Sequence, residues 1–268
     1  MQRQLSTDAA TQVVGRAVFA AVGLLVLVLV LERSGTIGAF RTMGRWGWTM
    51  AALLAISSGT FLLALNHTTV ANVLFMQAAA PMMAALLGWA LLSEAIGSRI
   101  WLAMAVAGLG VLLMVGGSLS TGFLAVGLPF VMTASFAGVI VIARHRREIS
   151  MLPATCASQV LLVLAAAPFA TVASVGAGDW GFLALLGVGQ IGVGLALLTY
   201  GARLIPPAEV ALISLLEVVL GVVWVWLAYN ERPATATLLG GATVLSAILI
   251  QATAELRRPV RALAEAKS

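Results

Sequence analysis

Nine apolar runs, each close to the length that crosses a bilayer, follow one another with only short connections. They cover residues 13–31, 46–65, 68–92, 100–117, 122–143, 151–175, 180–204, 206–229 and 234–252, lettered A to I below. A bilayer core of about 30 Å takes about 20 apolar residues in a helix. The longest connection, residues 32–45, has fourteen residues and leaves no room for a soluble domain. Hydrophobic residues make up 61% of the chain and charged ones 9%. Soluble domains carry about 25% charged residues and about 45–50% apolar ones, so the solvent for most of this chain is lipid. Run A is too long for a cleaved signal peptide and ends in no clean small-residue cleavage site.

Charge sets the expected orientation. Arg3, Arg16 and Arg232 fall on the side of the N-terminal tail. Arg33, Arg41, Arg45, Arg99, Arg144, Arg146, Arg147, Arg203, Arg257, Arg258, Arg261 and Lys267 fall on the other. A bias of twelve to three predicts a cytoplasmic C-terminus and, with nine spans, a periplasmic N-terminus in a bacterial inner membrane. The net charge of +5 is thereby explained without nucleic acid as a partner. The seven tryptophans lie near run ends, as interfacial anchors do. Cys156, the single cysteine, excludes an intrachain disulfide and a zinc cluster, and reads as a small packing residue.

The chain repeats itself. A shift of 137 residues lays 68–94 on 205–231 and matches Ala71 with Ala208, Val73 with Val210, Trp89 with Trp226 and Glu94 with Glu231. Helices B, C, D then correspond to G, H, I. G stands five places after B, an odd displacement, so the copies are expected in opposite orientations. Inverted repeats with a site near the midplane are a mark of secondary transporters. The expected organisation is a polar tail (1–12), a four-helix first repeat (13–118), a five-helix second repeat (119–253) and a basic cytoplasmic tail (254–268).

The stretch from Gly187 to Glu231 has a Gly-rich helix, a short turn at Pro206-Pro207, an alanine after it, Leu215-Leu216-Glu217 in mid-helix and an acid past the helix end. A small-residue helix with Gly240-Gly241 follows. This pattern resembles the second repeat of EamA-like transporters of the drug/metabolite transporter superfamily. Ala71, Ala79-Ala80-Pro81 and Leu92-Ser93-Glu94 carry the likeness in the first copy, and helix A with Arg16 resembles the second helix of that family's first repeat. The resemblance covers about residues 14–254. It implies ten helices, five per repeat, whereas this chain is expected to have nine: only the polar tail precedes helix A, while helix E is present. The sequence is compatible with a nine-helix member or with a start codon placed too late.

Candidate pathway residues are few. Glu217 lies near mid-run in helix H, where an ionised carboxylate costs at least about 2.5 kcal/mol and is expected to face a partner, a watered cavity or a proton. It serves either proton coupling or an interhelical hydrogen bond. Ser214, Gly221 and Trp224 share its face, and Trp224 also reads as an interfacial anchor. Glu209, in the first turn of helix H, fits a cap. Asn72 and Gln77 lie on helix C, where Pro81 frees a carbonyl. Ser57, Ser58, Thr60, Thr133, Ser135, Gln159 and Gln190 are further polar positions, each equally open to the reading of interhelical glue. His67 reads as a solvated loop histidine, and Glu94 and Glu231 as caps. The Gly187-Val188-Gly189-Gln190-Ile191-Gly192 segment matches a dinucleotide fingerprint by letter only; no strand precedes it, and close helix packing explains it.

The expected function is secondary transport of small organic solutes (a metabolite, amino acid or drug-like compound), in the direction of export, by alternating access. No cofactor, metal or catalytic residue is expected; proton coupling is an open option. The expected partners are the lipid bilayer and a small-molecule solute, with a homodimer left open. A non-transporting partner subunit or lipid carrier is the alternative. A membrane-embedded enzyme lacks a His-Glu zinc motif, a Gly-x-Ser-x-Gly elbow and paired aspartates.

Overall fold

A computed structural model describes residues 8–32, 36–93, 97–118, 122–146, 151–171, 175–194, 207–229 and 232–265. All regular structure among them is helical. The helices are α1 (Ala9–Glu32), α2 (Thr36–Thr42), α3 (Gly44–His67), α4 (Val70–Ala78), α5 (Ala80–Leu92), α6 (Ser98–Ser118), α7 (Phe123–His145), α8 (Met151–Ala166), α9 (Ala177–Ala184), α10 (Pro207–Tyr229) and α11 (Thr235–Glu265). A 3-10 turn, Ala167–Phe169, ends α8, and a π-helical segment, Leu185–Val193, continues α9. Among the described residues, four helical spans are long and apolar enough to cross a membrane: Ala10–Val30, Gly44–His67, Phe123–His145 and Leu152–Phe169. The pair Val70–Ala78 and Ala80–Leu92, bent by 40°, is either one broken span, and then a fifth, or a re-entrant loop. Ile100–Met114, Leu216–Ala228 and Thr235–Ile250 are shorter apolar helices.

Each expected run overlaps a described helix, but local chemistry interrupts several. Run C breaks at Ala79, because Pro81 in the first turn of α5 has no N–H to give the helix before it. Thr69 caps α4 by accepting from the Asn72 N–H at 3.3 Å. Run A starts on a cap of the same kind: Asp8 accepts from the Thr11 N–H at 3.2 Å and from its hydroxyl at 2.5 Å. The connection between runs A and B holds the short helix α2, which the sequence did not announce. Run I does not stop at 252: α11 continues through Glu265 into the expected tail.

The described chain forms two compact units. Unit one joins Met1–Asn66 with Gly138–Gly201, and unit two joins His67–Ala137 with Ala202–Ser268. Helices A, B, F and G therefore build one unit, and C, D, H and I the other. Both units draw on both repeats, and α7 contributes to each.

Within each unit, helices pack on their own counterparts. In unit one, Leu24 and Val28 of α1 cluster with Leu152 and Cys156 of α8, while Val13 and Ala17 cluster with Leu162. In unit two, Ala103 and Ala107 of α6 meet Val244, Ala247 and Ile248 of α11, while Met114 lies at Gly240. Also in unit two, Ala71 and Phe75 of α4 meet Val222 of α10, with Ala78 and Val218 one turn further along. In all three pairs, A with F, D with I and C with H, rising numbers on one helix meet falling numbers on the other. The counterparts are antiparallel, as oppositely oriented copies must be.

Lipid gives no hydrophobic push between helices, so close backbone approach holds these pairs. A Cβ on Gly110 would stand 2.6 Å from the Gly240 carbonyl oxygen, and one on Gly241 would stand 2.5 Å from the Phe75 ring. Gly108, two residues away, has nothing within 4 Å. Gly110→Ala is expected to destabilise by about 1–3 kcal/mol through overpacking. Gly108→Ala should not lower the thermal unfolding temperature in detergent. Equal midpoints for the two variants would mean that the α6–α11 contact carries no weight.

Candidate functional site

Arg16 lies inside the span Ala10–Val30, about 6 Å from its centre at 1.5 Å per residue. Only 5% of the residue is exposed. The sequence reading counted Arg16 with the tail charges; the structure moves it into α1, leaving Arg3 and Arg232 on that side of the count. Its Nη2 donates to Ser58 Oγ of α3 at 2.7 Å, and its Nε is buried with no hydrogen-bond partner. An arginine at the centre of a membrane helix costs about 2.5–3.5 kcal/mol on insertion scales, and such residues mark substrate or ion pathways.

Neutral polar groups lie within about one turn of this level. Leu162 of α8 packs with Ala17 and Leu62, and its Cδ1 would lie 3.0 Å from a Cβ on Gly59, the residue after Ser58. Gln159, one turn from Leu162, is 3% exposed. Its Nε2 donates to Ser158 Oγ at 3.2 Å, Ser158 donates to the Thr155 carbonyl at 2.6 Å, and the Gln159 Oε1 has no partner. The Gly-rich segment closes on the same stretch of α1: a Cβ on Gly187 would stand 2.6 Å from the Arg16 carbonyl oxygen. Close packing is therefore what Gly187 serves, whereas a Cβ on Gly189 or Gly192 would meet only side chains of its own segment, at 3.6 and 4.0 Å. The segment is π-helical, a geometry frequent at functional sites.

The other candidates divide. Ser58 belongs to this layer through Arg16. Asn72 is buried, accepts from the Thr237 hydroxyl at 2.7 Å and donates to Thr68 Oγ1 at 3.0 Å. It ties α4 to α11 as interhelical glue. Thr133 is fully buried and returns its hydroxyl to the Pro129 carbonyl at 2.7 Å, within its own helix. Gln77 is half-buried, and Gln190 is exposed on the π-helical segment. Trp224 is exposed, as an interfacial tryptophan would be. Cys156 is buried with its thiol toward the Ala21 carbonyl, and His67 is exposed.

The Glu217 side chain is exposed on α10. The reason is helical phase. Val218, Gly221 and Val222 turn toward α4, with Gly221 against Leu74, and this leaves Glu217 at the edge of that face beside Trp224. The side chains of Ser214 and Glu209 lie outside the described set, and Glu94 and Glu231 lie outside the described residues.

Trp46 closes one end of unit one. The guanidinium of Arg45 lies 5.4 Å from its ring centroid and that of Arg146 lies 5.5 Å from it. The A–B and E–F connections thus share one face, as the basic count requires.

The EamA-like transporter family model matches residues 1–116 and again 123–253. The chain belongs to the EamA-like transporter family. It is a multi-pass, transporter-like membrane protein of the drug/metabolite superfamily, and the double match reports its internal repeat. A solved crystal structure is similar with a TM-score of 0.60 at 17% identity, over 92% of this chain and 88% of the other, and shows the shared fold. No curated protein matches the chain.

Two outcomes follow from these bonds. Asn72→Ala and Thr237→Val should each destabilise unit two by about 0.6–2 kcal/mol. The double variant should cost less than the two singles together, and additivity in a double-mutant cycle would show that the 2.7 Å bond is not felt. At the end of α1, the hydroxyl of Thr11 holds the Asp8 carboxyl below the ordinary aspartate value. A depressed value means the cap stabilises above the unfolded pKa and is lost as pH falls through the folded one. Amide exchange at Thr11 and Gln12, corrected for intrinsic rate, should accelerate across that acid window. Asp8→Ala should abolish the transition.

Proposed function

We propose that the protein is a secondary transporter that moves small organic solutes across a bacterial inner membrane by alternating access, in the direction of export. The observation that carries the reading is the antiparallel packing of counterpart helices: A on F, D on I, C on H. Two oppositely oriented copies interleaved in this way give a fold whose inward and outward faces are built from equivalent parts. That equivalence is the structural basis of alternating access around a midplane site. The buried Arg16–Ser58 layer near mid-span supports the reading. An enzyme or a passive partner subunit gains no comparable support from the geometry.

The reading is tested by flux. Purified protein in liposomes should accumulate or release solutes from a metabolite library, and covalently inactivated protein should not. Identical traces from both preparations would reject transport. A C-terminal reporter should read cytoplasmic and an N-terminal one periplasmic. Proton coupling through Glu217 is tested in the same vesicles. Glu217→Gln should abolish pH-driven uptake, retain equilibrium exchange and leave thermal stability unchanged within about 0.5 kcal/mol, because the side chain is exposed. An unaltered pH profile would rule out coupling through this residue.

A further inference from the structure

The buried polar groups of unit one do not balance. Arg16 brings a full positive charge and five N–H donors in a planar fork. Among the described residues it meets one hydroxyl, Ser58 Oγ at 2.7 Å, and no Asp or Glu forms an ion pair with it. Its Nε–H is buried without an acceptor. On α8 the Gln159 Oε1 is likewise buried without a donor, while the Ser158 hydroxyl donates to the Thr155 carbonyl and accepts from Gln159 Nε2. Buried polar atoms are normally paired, and a buried charge normally has a counter-charge. Here a guanidinium and a carboxamide, both more than nine-tenths buried and each with a buried polar atom that lacks a partner, lie near the centre of three packed helices.

We propose that Arg16 recognises the carboxylate of the transported solute, with Ser58 and Gln159 as neutral partners beside it. This rests on the transport reading for the route by which a solute reaches Arg16. The ligand class follows from charge and shape. A guanidinium fork matches the two oxygens of a carboxylate. One arginine among hydroxyls and an amide neutralises one negative charge, so a monoanion is matched and a dianionic phosphate is left with an unpaired charge in a low dielectric. Ser58 fixes the fork through one Nη2 hydrogen, leaving the Nε–H for the ligand. Gln159 Oε1 accepts from a donor on the same solute, such as a hydroxyl or an ammonium group. The solute is then a small organic acid or a zwitterion.

The test reads occupancy of Arg16 directly and does not require flux. Reconstituted protein is treated with phenylglyoxal, which modifies accessible guanidinium groups, and the Arg16 peptide is followed by mass spectrometry. Straight-chain acids from butanoate to octanoate are added, each against its primary amide. The acids should slow Arg16 modification by about tenfold or more, the scale of a lost charged hydrogen bond, and the amides should not. Modification of Arg45, on the exposed end of α3, should be unaffected by either. Ser58→Ala, which removes the described anchor and keeps the charge, should weaken that protection. Arg16→Lys in the same vesicles should keep the fold and lose most of the affinity for acids. An Arg16 that stays unmodified while Arg45 reacts, or that is protected by acid and amide alike, overturns the proposal. Flux with no protection at Arg16 discards this assignment and keeps the transporter; protection without flux discards the transporter and keeps the anion site.

Discussion

Close backbone contact between helices that lipid does not press together is the constraint on which the rest depends. Water drives apolar faces together in a soluble protein; acyl chains are as apolar as leucine and do not. What remains is dispersion, strong only at short range, and hydrogen bonds that have no solvent competitor. Gly110 against the Gly240 carbonyl and Gly187 against the Arg16 carbonyl are points of close backbone approach. They bring α6 to α11 and the π-helical segment to α1. The remaining side chains fill the spacing that these glycines set, from Ala103 and Ala107 in one unit to Ala17 and Ala20 in the other.

Much of this was legible in advance. Apolar length locates the spans because the bilayer has a fixed thickness, and helices α1, α3, α7 and α8 follow the predicted runs closely. The inversion of the repeat followed from an odd displacement between the copies, and the antiparallel counterparts agree with it. Breaks were less visible. Pro81 announced the bend at Ala79, whereas nothing in the Gly-rich run announced a π-helical winding from Leu185.

The site was the least legible part, for a physical reason. An inventory of acids in apolar runs draws attention to Glu217, yet which face of α10 turns inward depends on where Val218, Gly221 and Val222 find partners on other helices. Run composition does not encode that phase. Arg16 was overlooked because a cation near the end of a run is usually a loop charge that snorkels to the interface. The signal was its place as the fourth residue of run A, a full turn inside the apolar stretch. Asn72 shows the converse. Its residue type suggested a pathway, but the Thr237 hydroxyl, 165 positions away, makes it a brace.

The interleaving of the two repeats has a bearing on how such a chain is made. Helices A and B emerge from the ribosome first, but the helices that cover them in unit one, F and G, are synthesised only after C, D and E. The buried face of α1, with Arg16 on it, therefore enters the bilayer before α8 exists to shield it. C and D face the same delay until H and I are translated. Neither unit can close as an N-terminal intermediate, so assembly waits for the second repeat. During that interval the half-made protein depends on lipid, on the insertion machinery or on a membrane chaperone to cover its polar face. Selection on this chain therefore acts on tolerable exposure during synthesis as well as on the finished fold.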